Sequence, residues 1–199
     1  MGECRHCEQT VTDLDVSPKR RAVFLDRDGT LNLPIVRDGK PYPPSTIDEF
    51  RLYHDVLEAC EKLQAVHYVL VVVTNQPDVG RGTQTQAAVE ALNDYLLTLI
   101  PTLDRIEVCY APGRDQPHAD SRRRKPAPGM LLDAASILDL NLSHSWMVGD
   151  RWGDIDAGYA AGCRTVLIDR GYTEREPDHT PDFTVNSLTE ATEIILAHR

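Results

Sequence analysis

The run from His67 to Val73, HYVLVVV, restricts what this chain can become more than any other stretch. Near-continuous apolar residues over strand length suit a strand covered on both faces, whereas a strand with one wet face would alternate. Shorter apolar segments at Ala22–Leu25, Arg105–Cys109, Ser145–Val148, Thr165–Ile168 and Phe183–Val185 read as further strands. Between them lie segments with helical spacing: one from Leu52 or His54 carrying Val56, Leu57, Cys60 and Leu63, then Thr83 to Leu99, Pro128 to Leu138, Asp154 to Ala161 and Leu188 to Ala197. Strands alternating with helices predict an α/β fold, a mainly parallel central sheet with helices on both faces. Sites in such sheets gather outside the carboxyl ends of the strands.

Polar residues collect at those ends. Asp26 and Asp28 follow the first strand in RAVFLDRDGTLN, Thr74 and Asn75 follow HYVLVVV, and Asp150 with Asp154 follows Ser145–Val148. Two carboxylates closing an apolar strand are costly unless a cation meets them, and magnesium, a hard ion, takes carboxylate and carbonyl oxygens. The same pair could divide the work of nucleophile and general acid/base. Arg124 and Lys125, within RRRKPAPG, add positive charge suited to phosphate oxygens. A phosphoryl group fits both halves of this set, since its transfer needs charge neutralisation, positioning and an in-line nucleophile. Taken singly, Thr-Asn is an ordinary turn and RRRK a solvated basic face; their recurrence at one edge of the sheet is what points to chemistry.

With 199 residues, 41% of them hydrophobic, the chain can bury one full core. Residues 1–20 are polar and aperiodic, a tail or edge extension; 21–199 form the domain, with proline-rich loops at 32–50 and 111–124 placed to select a substrate. A formal net charge of −10 argues against nucleic acid as a partner. No apolar run reaches the roughly 18 residues that suggest a membrane span, and no basic head leads into an apolar signal segment, so the expectation is a cytoplasmic monomer without membrane contact. Five cysteines, an odd count in a chain with a real core, disfavour a disulfide scaffold. Neither GxxxxGK[ST] nor GxGxxG occurs, which weighs against a kinase or nucleotide-binding module.

DRDGTLN at Asp26 to Asn32, VVVTNQ at Val71 to Gln76, RKP at Arg124 to Pro126 and VGDRWGDIDAG at Val148 to Gly158 resemble the four ordered motifs of the haloacid dehalogenase (HAD)-like phosphohydrolases. FLDRDGTLN, TNQPDVGRG and RKPAPG resemble more narrowly the branch of D,D-heptose 1,7-bisphosphate phosphatases and histidinol phosphate phosphatases. The resemblance implies a three-layer Rossmann-like HAD fold, essentially capless, and a magnesium-dependent phosphatase working through an aspartyl-phosphate on a small phosphorylated sugar. The heptose 7-phosphatase is the leading member; histidinol phosphate, another small metabolite, or a noncatalytic phosphate-binding role are the alternatives. By position it makes Asp26 the nucleophile, Asp28 the acid/base, and Thr74 and Lys125 the groups on the phosphoryl oxygens. Asn75 stands beside Thr74, and Arg124, with Arg123 and Arg122, contacts the rest of the substrate. Asp26, the carbonyl of Asp28, Asp150 and Asp154 would hold the metal. One departure stands out. The branch carries a zinc loop with Cys-x-His at its start and Cys-x-Cys before RKP, where this chain has Cys109-Tyr110-Ala111 and Ser121-Arg122-Arg123. One ligand of four does not make a structural zinc site. A different set, Cys4, His6 and Cys7 joined by Cys109 or His118, is the remaining zinc candidate.

Overall fold

The computed structural model of the protein describes residues 19–37, 40–113 and 116–198. In chain order the elements are β1 (Ala22–Leu25), a hairpin of β2 (Ile35–Arg37) and β3 (Lys40–Tyr42), α1 (Val56–Ala65), β4 (Val69–Asn75), α2 (Pro77–Gly80) and α3 (Gln86–Leu99). Then follow β5 (Arg105–Cys109), α4 (Gly129–Leu138), β6 (Trp146–Gly149), α5 (Trp152–Ala161), β7 (Arg164–Ile168), β8 (Phe183–Val185) and α6 (Leu188–Ala197). Six strands make one sheet in the order β5-β4-β1-β6-β7-β8, and every pairing in it is parallel.

Alternation along β1 explains the three layers. Val23 and Leu25 face one side with Leu70 and Val72, against Leu63 of α1, Leu96 of α3 and Ile195 of α6. Ala22 and Phe24 face the other with Val71, Val73 and Met147, against Met130 and Ala134 of α4 and Ala157 of α5. Both faces of β1 and β4 are therefore dry, which is why their sequences read as unbroken apolar runs. Each of the Val, Leu, Ile, Phe and Met side chains contributes roughly 1.5–3 kcal/mol by leaving water, the alanines less. The site-bearing strands β1, β4 and β6 lie in the buried centre of the sheet.

Several boundaries differ from the sequence reading, for local reasons. The central strand starts at Val69 rather than His67, because His67 takes a left-handed φ of 65° and donates its N–H to Gln64 O at 2.8 Å, turning the chain out of α1. The turn after β4 contains the single-turn helix α2. Thr83 and Gln84 then donate to Asp78 O, so α3 begins only at Gln86, with Thr85 Oγ1 accepting from Ala88 N. Pro128 flanks α4 rather than entering its first turn, and α5 starts at Trp152, ahead of Asp154. Between β1 and α1 stand only the hairpin and a 3-10 turn at Ile47–Glu49, so no cap domain occupies that position. Residues 1–18, with Cys4, His6 and Cys7, lie outside the described residues. Arg20 runs alongside the segment after α4, its N–H donating to Asp139 O and its carbonyl accepting from Asn141 N. No helix among the described residues is long and apolar enough to cross a membrane.

Candidate active site

β1 lies between β4 and β6, so the carboxyl ends of all three meet. Asp26 extends the ladder by donating its N–H to Val148 O at 2.9 Å, and its side chain leaves the sheet where Thr74 and Asp150 leave theirs. Asp154 comes from the first turn of α5 and Lys125 from the connection before α4. Asp26, Thr74, Lys125, Asp150 and Asp154 are all buried. A cavity of about 190 Å³ opens above them, with Asp26, Asp28, Thr74, Asn75, Arg124, Lys125, Trp152 and Asp154 in its wall.

Lys125 is the electrostatic hub. Its Nζ stands 2.5 Å from Asp26 Oδ1 and 2.6 Å from Asp154 Oδ1, and donates to Val73 O at 2.7 Å. Burial works against the ammonium, but Asp154 and Asp26 outweigh it and raise its pKa, so it stays charged. One ammonium does not balance three buried carboxylates. Burial pushes the Asp26 carboxyl up to about 7; Lys125 opposes the shift and the Asp154 charge adds to it. Asp150 is raised well above its ordinary value, by burial and then by the charges of Asp26 and Asp154.

These features fit a divalent cation. Oxygens of Asp26, Asp150 and Asp154 lie within 4.8 Å of one another. Asp150 Oδ1 is buried without a hydrogen-bond partner, a costly state that a cation relieves. Two glycines make room. Gly29, at φ +97°, would carry a Cβ 1.9 Å from Asp150 Oδ2, and a Cβ on Gly149 would lie 2.3 Å from the Asp154 carboxylate. The Asp28 carboxylate is not in the metal-ready group; its side chain turns elsewhere, which leaves only its carbonyl for such a role.

Asp28 is gripped from three directions. Arg27 Nη2 donates to both of its oxygens, at 2.9 and 3.2 Å, Asn32 Nδ2 to Oδ1 at 3.0 Å and Gln76 Nε2 to Oδ2 at 2.7 Å. Asn75 does something the sequence does not reveal. Its Nδ2 donates to Lys125 O and its Oδ1 accepts from Lys125 N, both at 3.1 Å, so its amide fastens the main chain that carries the lysine.

The three arginines separate. Arg124 lines the cavity and donates from Nη1 to Ala111 O at 2.9 Å. Arg122 and Arg123 are not brought to it. Arg122 is exposed and forms a two-pronged pair with Asp133 of α4, at 2.9 and 3.1 Å. Arg123 pairs with buried Glu107 of β5, contacts Asp133 at 3.0 Å and donates to Val108 O. The arginine run is thus mainly a fastening of its loop to β5 and α4. Arg27 and Gln76, which the sequence reading leaves without a role, stand in the site instead. Arg27 is a lone cation between two aspartates at the end of an apolar strand, and that was its visible signal. Cys109 is a free, buried thiol whose Sγ donates to Asp120 O at 3.5 Å. Among the described residues the three aspartates are the one group of metal-ligating side chains. Trp146 packs in the core, and Trp152, under the Arg175 guanidinium, forms part of the cavity rim.

A family profile described as HAD-hydrolase-like matches residues 122–191. Together with the relatives below, this places the chain plainly: it belongs to the haloacid dehalogenase-like hydrolases, in the heptose bisphosphate phosphatase branch. It is 35% identical over 178 residues to the D-glycero-beta-D-manno-heptose-1,7-bisphosphate 7-phosphatase of Salmonella typhi, covering 85% of this chain and 92% of the relative. It is 36% identical over 159 residues to the D-glycero-alpha-D-manno-heptose-1,7-bisphosphate 7-phosphatase of Burkholderia mallei, covering 75% and 80%. Among solved structures, the D,D-heptose 1,7-bisphosphate phosphatase of B. bronchiseptica, complexed with magnesium and phosphate, superposes with a TM-score of 0.73 at 27% identity, over 90% of this chain and 99% of that one.

Proposed function

We propose that the protein is a magnesium-dependent phosphatase that removes the 7-phosphate of a D-glycero-D-manno-heptose 1,7-bisphosphate through an aspartyl-phosphate on Asp26. The carrying observation is the buried group of Asp26, Asp150 and Asp154, in which Asp26 and Asp154 hold Lys125 Nζ and, with Thr74 and Arg124, line one cavity. Asp26, Asp150, Asp154 and the Asp28 carbonyl would hold magnesium, which supplies charge neutralisation for the phosphoryl oxygens.

The deprotonated Asp26 carboxylate attacks phosphorus; the bond from phosphorus to the sugar oxygen breaks as Asp28, which must enter this step as the carboxylic acid, gives its proton to that oxygen. Asp28, now a carboxylate, takes a proton from water as that water attacks the acyl phosphate, which frees Asp26 and inorganic phosphate. Thr74 Oγ donates to a phosphoryl oxygen, while the Lys125 ammonium, whose N–H groups meet Asp26, Asp154 and Val73 O, offsets the charge between Asp26 and the phosphoryl group; both are worth most where negative charge grows. Asn75 serves by fixing Lys125. Arg124 stands where it can meet the rest of the substrate, and the assignment gives the selection of substrate by the domain of residues 21–199 to the loops at 32–50 and 111–124. Relatives named for the beta and the alpha anomer are 35% and 36% identical to this chain, so both anomers enter the test.

Phosphate release from both heptose bisphosphate anomers, histidinol phosphate and common sugar monophosphates, with magnesium and with chelator, tests this. One heptose bisphosphate anomer is expected to lead in kcat/KM by roughly 100-fold or more, a margin of about 3 kcal/mol, yielding the 1-phosphate and losing activity in chelator. A lead for histidinol phosphate would transfer the substrate assignment. Failure of the folded, magnesium-loaded protein on every phosphoester would overturn the enzymatic reading.

A further inference from the structure

Gln76 belongs to none of the groups assigned so far, yet it touches two of them. Its side chain is buried, and its main-chain N–H is anchored on Cys109 O at 2.8 Å. The amide nitrogen has two hydrogens, and both are engaged: Nε2 lies 2.7 Å from Asp28 Oδ2 and 2.9 Å from Thr74 Oγ1. A hydroxyl that accepts from an amide directs its own proton away from that amide. The Thr74 proton is thereby turned away from Gln76, free for a phosphoryl oxygen in the cavity. The other hydrogen holds the Asp28 carboxylate at Oδ2, the oxygen that Arg27 Nη2 also meets at 2.9 Å. Arg27 is in turn fully buried and fixed from behind, its Nη1 donating to Asn93 Oδ1 of α3 at 2.8 Å.

We propose that Gln76, backed by Arg27 and Asn93, is the positioning residue of this site: one amide nitrogen sets the direction of the Thr74 hydroxyl and the rotamer of Asp28 together. This rests on the phosphatase reading above. It explains why an amide, rather than a carboxylate of the same shape, stands at the end of β4. A glutamate there would present oxygens to Asp28 and draw the Thr74 proton to itself. It also assigns α3 a part in the chemistry, since Asn93 is the far end of the chain of contacts.

The test compares wild type with Gln76→Leu, the near-isosteric Gln76→Glu, and Asn93→Ala, which touches neither Asp28 nor Thr74. Two substrates are used with magnesium: the best sugar phosphate, whose alkoxide leaving group needs a proton, and p-nitrophenyl phosphate, whose phenolate leaves without one. Misplacement of a catalytic group by about 1 Å costs on the order of 100-fold. Both Gln76 variants are expected to lose roughly that much in kcat/KM on the sugar phosphate and roughly tenfold less on the aryl phosphate, while Asn93→Ala loses roughly threefold to tenfold with the same bias. Magnesium affinity of Gln76→Leu and Asn93→Ala, by titration calorimetry, is expected to match wild type, because neither residue touches Asp26, Asp150 or Asp154. Should Gln76→Leu fail to fold, Gln76→Glu, which keeps the volume and exchanges donors for acceptors, decides the matter. Wild-type kinetics in Gln76→Glu, or equal losses on both substrates with weakened magnesium binding, would overturn the proposal while leaving the phosphatase reading intact. A wild type inactive on all phosphoesters would overturn both.

Discussion

Lys125 is shared between Asp26 and Asp154, and neither carboxylate has the ammonium to itself. Removing one partner of a buried ion cluster leaves the others uncompensated, at a cost of about 3–5 kcal/mol. Lys125→Met is therefore expected to lower the stability of the metal-free protein by about that amount at pH 8. The loss should shrink toward pH 5, where Asp26, with its carboxyl raised to about 7, is neutral. Urea unfolding at the two pH values measures this. Asn75→Ala removes two hydrogen bonds to the Lys125 main chain. Each is worth on the order of 1 kcal/mol, so a loss of about 1–2 kcal/mol is expected, together with a fall in turnover larger than any rise in KM. Asp26, Thr74 and Asp150 could be found in the sequence because each ends an apolar run, where a charge or hydroxyl has no packing reason to be. The work of Asn75 could not, because its partner lies 50 residues on and is a main-chain amide.

At the scale of elements, the connection from β5 to α4 shows what a charge run hides. Three consecutive arginines are equivalent as sequence, and their fates are set by Glu107 on one element and Asp133 on the other. Arg123→Ala leaves Glu107, buried at 4% exposure, with Arg105 on its own strand as its ion partner among the described residues, and about 2 kcal/mol of stability is expected to be lost. Arg122→Ala, at an exposed and solvent-screened pair, should leave stability close to that of wild type. Thermal unfolding of the two variants separates them. Arg124→Ala is expected to raise KM for the bisphosphate more than for a monophosphate, since its guanidinium lines the cavity. The six strands of the central sheet were legible, the short hairpin strands β2 and β3 within the 32–50 loop were not, and the strands Arg105–Cys109 and Phe183–Val185 and the helix Leu188–Ala197 agree residue for residue. Boundaries shifted where a cap or left-handed residue overrides periodicity, as at His67 and Thr85.

The whole molecule is organised by the strand order β5-β4-β1-β6-β7-β8, which sets the ends of β4, β1 and β6 side by side and concentrates negative charge in one buried place. That concentration makes stability depend on pH. The Asp26 pKa is raised in the folded state from an ordinary 3.8 to about 7, so between these values the folded chain holds a proton that the unfolded chain has released. Stability of the metal-free protein falls as pH rises through that window, on the order of 1 kcal/mol per pH unit from this group, and levels off above it. Magnesium binds the deprotonated carboxylates, so it should raise Tm more at pH 8 than at pH 5.5, and Asp26→Asn should flatten both trends. Calorimetric scans with and without magnesium record them. The most direct test of the reaction is to acid-quench the enzyme during turnover of a heptose 1,7-bisphosphate and map the phosphorylated residue by mass spectrometry. An acyl phosphate is expected on Asp26, absent from an inactive Asp26→Asn protein; phosphate on another residue, or undiminished turnover in Asp26→Asn, would contradict the assignment of Asp26 as nucleophile.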